Sequence, residues 1–268
     1  MLVKNEDRLI WYAISSVLPF VDKIIIFDTG SQDKTVEIVH SFQSKKIHLE
    51  VKAITNLKDI AHLRQEQLDK TESDWFWIVD GDEIYPYSLC REILNIIKIQ
   101  GDGLEGIAVR RYDLLGDIYH YQDETVGTYE LFGKKGHLVL RLINKKNLPG
   151  LHIKGIYPYE GYYDNKESEI IYHSSEKFYI TQGRLFHSMY LRRSTLGSNL
   201  SDTFHRRKYK IETGHKMGNS QNFPEVFNIP RPDDIPDVTG RRSLQYELIA
   251  HLITPIKVIK RNLFKIIS

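Results

Sequence analysis

The sequence predicts an α/β fold: a mostly parallel sheet with flanking helices, followed by a C-terminal helical extension. Three observations carry that expectation. Two short runs of β-branched and aromatic residues, Lys23–Phe27 and Trp75–Val79, have the length and composition of strands buried on both faces. Segments with helical spacing of apolar residues lie around and between them, an alternation that calls for a parallel sheet covered by helices. Each run also ends in an acidic residue, Asp28 and Asp80. In sheets of this kind ligands bind beyond the carboxyl ends of the strands.

Taken in order, Met1–Val3 is a very short first strand, so either the chain begins abruptly or its natural N-terminus lies upstream. Residues 6–18 carry Leu9, Ile10, Ala13, Val17 and Leu18 at helical spacing. After the strand at Lys23–Phe27, residues 32–43 read as helix and Ile47–Val51 as strand. Residues 57–71 form a polar helix before the second buried run. Residues 88–99 are an amphipathic helix and Gly106–Arg111 a strand. The middle, about 112–190, is rich in tyrosine and broken by glycines, with strands expected at Leu138–Ile143 and Ser168–His173. Residues 1–195 are expected to form the main domain, in two parts at 1–112 and 113–195. Residues 196–268 are a basic, proline-containing extension ending in an amphipathic helix.

Composition narrows the function classes. A net charge of +2 lacks the polycationic signature of a nucleic-acid binder. The single cysteine, Cys90, excludes an intrachain disulfide and cysteine-rich zinc sites, and it fits a reducing compartment. The N-terminus shows no signal peptide, and no run approaches the ~20 apolar residues of a spanning helix. A cytoplasmic protein is expected. Residues 251–268 repeat Leu252, Ile256, Ile259, Leu263 and Ile266 among lysines and an arginine. That pattern suits either a helix packed on the domain or one lying on the inner face of an anionic membrane.

The strongest chemical signal is Asp80-Gly81-Asp82-Glu83, directly after a buried strand. Carboxylates beside a core strand are costly unless a cation or donors offset them. Alternate carboxylates at a strand end can share one hard cation, which completes its shell with substrate phosphates. A plain acidic turn accounts for the same residues equally well. Asp28-Thr29-Gly30-Ser31-Gln32-Asp33 is a strand-to-helix turn in which Ser31 and Asp33 serve the helix start, whereas Asp28 does not.

Val3-Lys4-Asn5-Glu6, Ser16-Val17-Leu18, Asp28 to Val36, Arg64 and Asp80 to Glu83, in that order and spacing over roughly residues 1–85, resemble the family 2 glycosyltransferases. The resemblance implies a GT-A (Rossmann-like) fold and a metal-dependent, inverting, hexosyltransferase-like enzyme using a nucleoside-diphosphate sugar. The acceptor would be a glycan or a lipid-linked hydroxyl, in cell-surface glycan or polysaccharide synthesis. It implies nucleotide-sugar contacts from Asn5, Glu6, Asp28, Arg64, Asp80, Gly81 and Arg192, the last beside Arg193. Asp80 and Asp82 would hold Mg2+ or Mn2+, with His187 as a third ligand or a phosphate contact, and 1–112 would be the nucleotide-binding half and 113–195 the acceptor half. Where an Arg-Asn pair is usual, this chain has Arg64-Gln65, which leaves the second position without an expected role. Glu160 is the candidate base for the acceptor proton, with Asp123, Glu124 and Asp164 as alternatives. The basic stretch His205–Lys210 reads as a solvated helix face or an acceptor-phosphate contact. Two other classes stay open: a phosphohydrolase using the Asp80/Asp82 pair, and a non-catalytic nucleotide- or glycan-binding relative.

Overall fold

The computed structural model describes residues 1–52, 54–196, 210–218 and 222–267, the last four of these by backbone alone. The first part runs β1 (Leu2–Val3), α1 (Ile10–Val17), β2 (Ile24–Asp28), α2 (Thr35–Ser41), β3 (Ile47–Val51), α3 (Lys58–Asp69), β4 (Trp75–Trp77), β5 (Glu83–Ile84) and α4 (Tyr87–Gln100). Then follow β6 (Gly106–Asp113), β7 (His120–Tyr121), β8 (Tyr129–Leu131), β9 (Lys134–Gly136), β10 (Leu138–Asn144), β11 (His152–Lys154), β12 (Gly161–Tyr163) and β13 (Phe178–His187). The extension adds β14 (His215–Lys216) and α5 (Leu244–Ile267). The α/β class with flanking helices and a helical C-terminal end is as the sequence predicts.

Two sheets set the architecture. β1, β2 and β3 form a parallel sheet in that order. A five-stranded sheet has the order β4-β10-β6-β13-β5. In it β13 runs parallel to β6, β10 is antiparallel to β4 and β6, and β5 is antiparallel to β13. Residues of β2 and β4 line an apolar cavity of about 530 Å³, with Met1, Ile25, Trp75 and Trp77 in its wall. The Met1 amine donates to the Ile25 carbonyl at 2.7 Å, and burial pushes its pKa down to about 5.

Helix α1 is buried almost throughout, which explains its apolar sequence: Ile10, Tyr12, Ala13 and Ile14 are all 1% exposed or less. Its one polar interior residue, Ser16, donates to the Ala13 carbonyl and accepts from the Tyr85 amide, so its hydroxyl is satisfied. Helix α4 buries Leu89, Cys90 and Ile93 on a single face, as its spacing requires. The extension packs back onto α1. Tyr12 donates to the Pro236 carbonyl, and Phe227 lies against the Tyr12 and Phe186 rings.

Two expectations are corrected. Ser168–His173 is not a strand: Ile170–Tyr172 is a 3₁₀ turn. The Asp164 carboxylate accepts from the Lys166 and Ser168 amides and curls the chain, which carries Ile170 into a small core with Ile143 and Leu148. Conversely, the ten-residue strand β13 has no clear alternation, because Thr181-Gln182-Gly183 interrupts it. The register against β6 slips between Ile180 and Arg184. Glu92 on α4 accepts from the Gln182 and Gly183 amides at that slip, replacing the lost ladder bonds.

Cys90 is fully buried and its thiol lies 3.6 Å from the Ser16 carbonyl. Burial pushes the thiol far above its ordinary pKa, so the reactive thiolate is suppressed. The folded protein should therefore resist iodoacetamide at pH 8 and label fully in guanidinium. Mass spectrometry reads this directly, and rapid labelling of the folded chain would contradict the placement of α4.

Candidate active site

The turn after β4 brings four chain segments together. Gly81 sits so close to the end of β1 that an added Cβ would lie 2.9 Å from Glu6 Cγ and 3.3 Å from Val3 Cγ1. Glycine there lets the acidic turn press against the β1–α1 loop. Glu6 is 5% exposed; its Oε1 accepts from Arg193 Nη1 at 2.8 Å, and its Oε2 is buried without a partner. Burial raises the Glu6 pKa well above the usual carboxylate range. Arg193 opposes this, whereas Asp82, Asp80 and Asp33 add to it.

Asp80 and Asp82 face different partners. Arg141, on β10, donates to Asp80 Oδ2 at 2.6 Å and to Glu83 Oε1 at 2.5 Å. Arg64, on α3, lies 3.8 Å from Asp80 Oδ1. Burial alone would raise the Asp80 pKa; the guanidinium groups of Arg141 and Arg64 outweigh it and hold the carboxyl below its usual range. Asp82 is 4% exposed. Its Oδ2 is 3.6 Å from Arg193 Nη1 and 3.7 Å from His187 Nε2.

His187 ends β13 and pairs in register with Asp113, the last residue of β6. Its Nδ1 lies 2.8 Å from Asp113 Oδ1. Arg111 Nε is 3.0 Å from the same oxygen, and His137 Nδ1 is 3.5 Å from Oδ2. Burial would raise the Asp113 pKa; the hydrogen bond from His187 and the charge of Arg111 bring it down to about 2. Beyond His187 the chain straps over the β1–α1 loop. The Ser188 amide donates to the Asp82 carbonyl, the Arg8 amide to the Arg193 carbonyl, and the Thr195 amide to Asp7 Oδ1.

The remaining expected residues fall as follows. Asn5, at φ +53°, takes the Gln32 amide on its Oδ1 and donates its own amide to Ser31, tying the β1 end to the β2 turn. Asp28 is 1% exposed, and its carboxylate accepts from the Gly30 and Ser31 amides and the Ser31 hydroxyl. Glu160 Oε1 accepts from Arg64 Nε at 3.2 Å, and its Oε2 is buried without a partner. Arg192 is exposed and spends its guanidinium on the Ser194 and Thr195 carbonyls, so its neighbour Arg193 is the one that reaches the acids. Asp123 pairs with His215, Glu124 with Arg184, and Asp164 closes its own turn. Apart from Lys210, the stretch His205–Lys210 lies outside the described residues. Three side chains around the acidic turn had no expected role: Arg141, Asp113 and Tyr162, whose phenol burial pushes up while the charge of Arg64 opposes it. A charged residue inside the apolar run Leu138–Ile143 was the available signal for Arg141.

No three His, Cys, Asp or Glu side chains among the described residues converge into a ready-made metal cage. A hard cation shared with phosphates needs only one or two carboxylates from the protein. Asp82 Oδ2 and His187 Nε2 lie 3.7 Å apart, too distant for a hydrogen bond, and so supply one carboxylate and one imidazole donor side by side. That donor set fits Mg2+ or Mn2+, with Asp80 beside it under Arg141.

The profile of Glycosyl transferase family 2 matches residues 1–153. Among curated proteins, a TPR repeat-containing protein of Synechococcus elongatus is 30% identical over 108 residues, covering 40% of this chain and 25% of that protein. The SPbeta prophage-derived glycosyltransferase SunS of Bacillus subtilis is 24% identical over 99 residues, covering 37% and 23%. The match thus spans about a quarter of the length of either relative. Among solved structures, a glucosyl-3-phosphoglycerate synthase of Mycobacterium tuberculosis in complex with phosphoglyceric acid is 15% identical and covers 70% of each chain, at a TM-score of 0.45.

Glu83 is fully buried and depends on Arg141. Arg141→Met should cost about 3–5 kcal/mol in urea unfolding, because it strands that charge. Adding Glu83→Gln should restore much of the loss. A single-variant cost below about 1 kcal/mol would show that the pair is not a structural strut.

Proposed function

The chain belongs to Glycosyl transferase family 2, and from that premise we propose that it moves a sugar from a nucleoside-diphosphate sugar to a hydroxyl acceptor, with inversion at the anomeric carbon. The observation that carries this reading is the convergence of Glu6, Asp80, Asp82, His187, Arg64 and Arg193 where the first β-strands end. Asp82 and His187, with Asp80, would hold Mg2+ or Mn2+. When bound, the cation supplies positive charge to the diphosphate as it leaves.

The side chains divide the work. Asn5, Glu6, Gly81 and the Asp28 turn shape the nucleotide's seat, with Glu6 also orienting Arg193. Arg193 faces the same space as Asp82 and is placed to take a phosphate oxygen. Arg64 reaches both Asp80 and Glu160, so it links the donor side to the acceptor side. Glu160 is the proposed base: Arg64 fixes Oε1, and the unpaired Oε2 accepts the acceptor's hydroxyl proton. The acceptor oxygen then bonds to the anomeric carbon while the bond to the diphosphate breaks, its electron pair staying on the phosphate oxygen. A phosphohydrolase with Asp80 as nucleophile fits less well, since Arg141 and Arg64 hold that carboxylate as a stabilised, weakly nucleophilic anion.

We also propose that the acceptor is a glycan or lipid-linked hydroxyl met at the inner membrane face. Leu244, Leu248, Leu252, Ile256, Ile259 and Leu263 form an exposed stripe on α5, each 56–84% exposed. Lysines and one arginine populate the helix's second half. No helix among the described residues is long and apolar enough to cross a membrane. A surface-lying amphipathic helix is consistent with that composition.

Release of nucleoside diphosphate from UDP-, GDP- and dTDP-sugars, with Mn2+ present, tests the activity. One donor should be consumed, and Asp82→Ala should slow it by about 10²–10³-fold. Glu160→Gln should slow transfer by about 10²–10⁴-fold while leaving donor binding unchanged. Binding without turnover of any donor would favour a non-catalytic relative. Sedimentation with phosphatidylglycerol-containing vesicles, reduced by Leu252→Glu with Ile256→Glu, checks the membrane contact; equal recovery with neutral vesicles or none would count against it.

A further inference from the structure

Asp113 holds His187 in one particular way that the donor and acceptor roles do not explain. Its carboxylate is 3% exposed, closes the end of β6, and meets His187 Nδ1 at 2.8 Å. A carboxylate accepts only, so Nδ1 carries the proton in that contact. With Nδ1 protonated, Nε2 is the nitrogen left to offer a lone pair when the ring is neutral, and Nε2 is the atom 3.7 Å from Asp82 Oδ2. The parallel register of His187 against Asp113 sets this geometry through the backbone. Arg111, 3.0 Å from Oδ1, and His137, 3.5 Å from Oδ2, hold the carboxylate itself.

We propose that Asp113 is a positioning residue that fixes the tautomer and ring orientation of His187, so that Nε2 is offered to a divalent cation shared with Asp82. The inference rests on the reading of His187 as a ligand. Carboxylates in this relation to a metal-binding histidine raise its basicity and lock its direction, and their loss typically lowers metal affinity 10–100-fold. Asp113 makes no contact with donor or acceptor in this scheme and acts only through the imidazole.

Two readouts on the full chain test it, neither of them activity. Mn2+ uptake is followed by electron paramagnetic resonance of the free ion, and the His187 tautomer by ¹H–¹⁵N correlation on ¹⁵N-histidine-labelled protein. We expect Asp113→Ala to weaken Mn2+ binding about 10–100-fold and to release the ring from the Nδ1–H form. Asp113→Asn keeps an acceptor for Nδ1–H and should recover part of both. If Asp113→Ala unfolds the chain, Asp113→Asn and the wild-type tautomer carry the test. An Nε2–H tautomer in the wild type would overturn the proposal. So would unchanged Mn2+ affinity and tautomer in Asp113→Ala when His187→Ala does weaken binding. No Mn2+ uptake by the wild type, or none lost in His187→Ala, would instead sink the ligand reading beneath it.

Discussion

Carboxylates taken out of water where two sheets meet need positive charge beside them, and the placement of three arginines meets that need here. Glu83 is fully buried and Asp82 and Glu6 nearly so, while Asp80 keeps part of its surface. Arg141 comes from β10, Arg64 from α3 and Arg193 from the strap after β13. Each arrives from a different part of the chain, so the acidic turn is held by contacts from across the domain. The site and the junction of the sheets are one electrostatic unit.

This arrangement has a functional consequence. Arg141 holds one oxygen of Asp80, and the buried pair Asp82–His187 is left free of it. The buried, unpartnered oxygens Glu6 Oε2 and Glu160 Oε2 lie on the two chemical ends of the proposed reaction, donor and acceptor. Arg64 bridges Asp80 to Glu160 between those ends. In the proposed scheme, a change in charge at the donor diphosphate would reach the base through that one guanidinium.

Much of this was legible in the sequence, for a physical reason: strand and turn chemistry is local. The acidic ends of the two apolar runs and the β2 turn at Asp28–Asp33 are visible within a few residues. What stayed hidden is held together across distance. Arg141 lies 61 residues after Asp80, and Asp113 lies 74 before His187. Neighbours in the strap after β13 also part ways: Arg193 reaches the acids while Arg192 is exposed, a one-residue difference that composition does not reveal. Strand β13 was concealed by its own register slip. The 168–173 segment read as a strand because its apolar residues serve a small satellite core.

The central claim is that Asp82 and His187, with Asp80 beside them, hold a divalent cation at the donor's diphosphate. The most direct test is anomalous diffraction from crystals grown with Mn2+ and the nucleoside diphosphate that binds. The account predicts a manganese peak in contact with Asp82 and the diphosphate oxygens, on the Nε2 side of His187. An ordered nucleotide with no manganese at that position, its phosphates held by Arg193 and Arg64 alone, would contradict it.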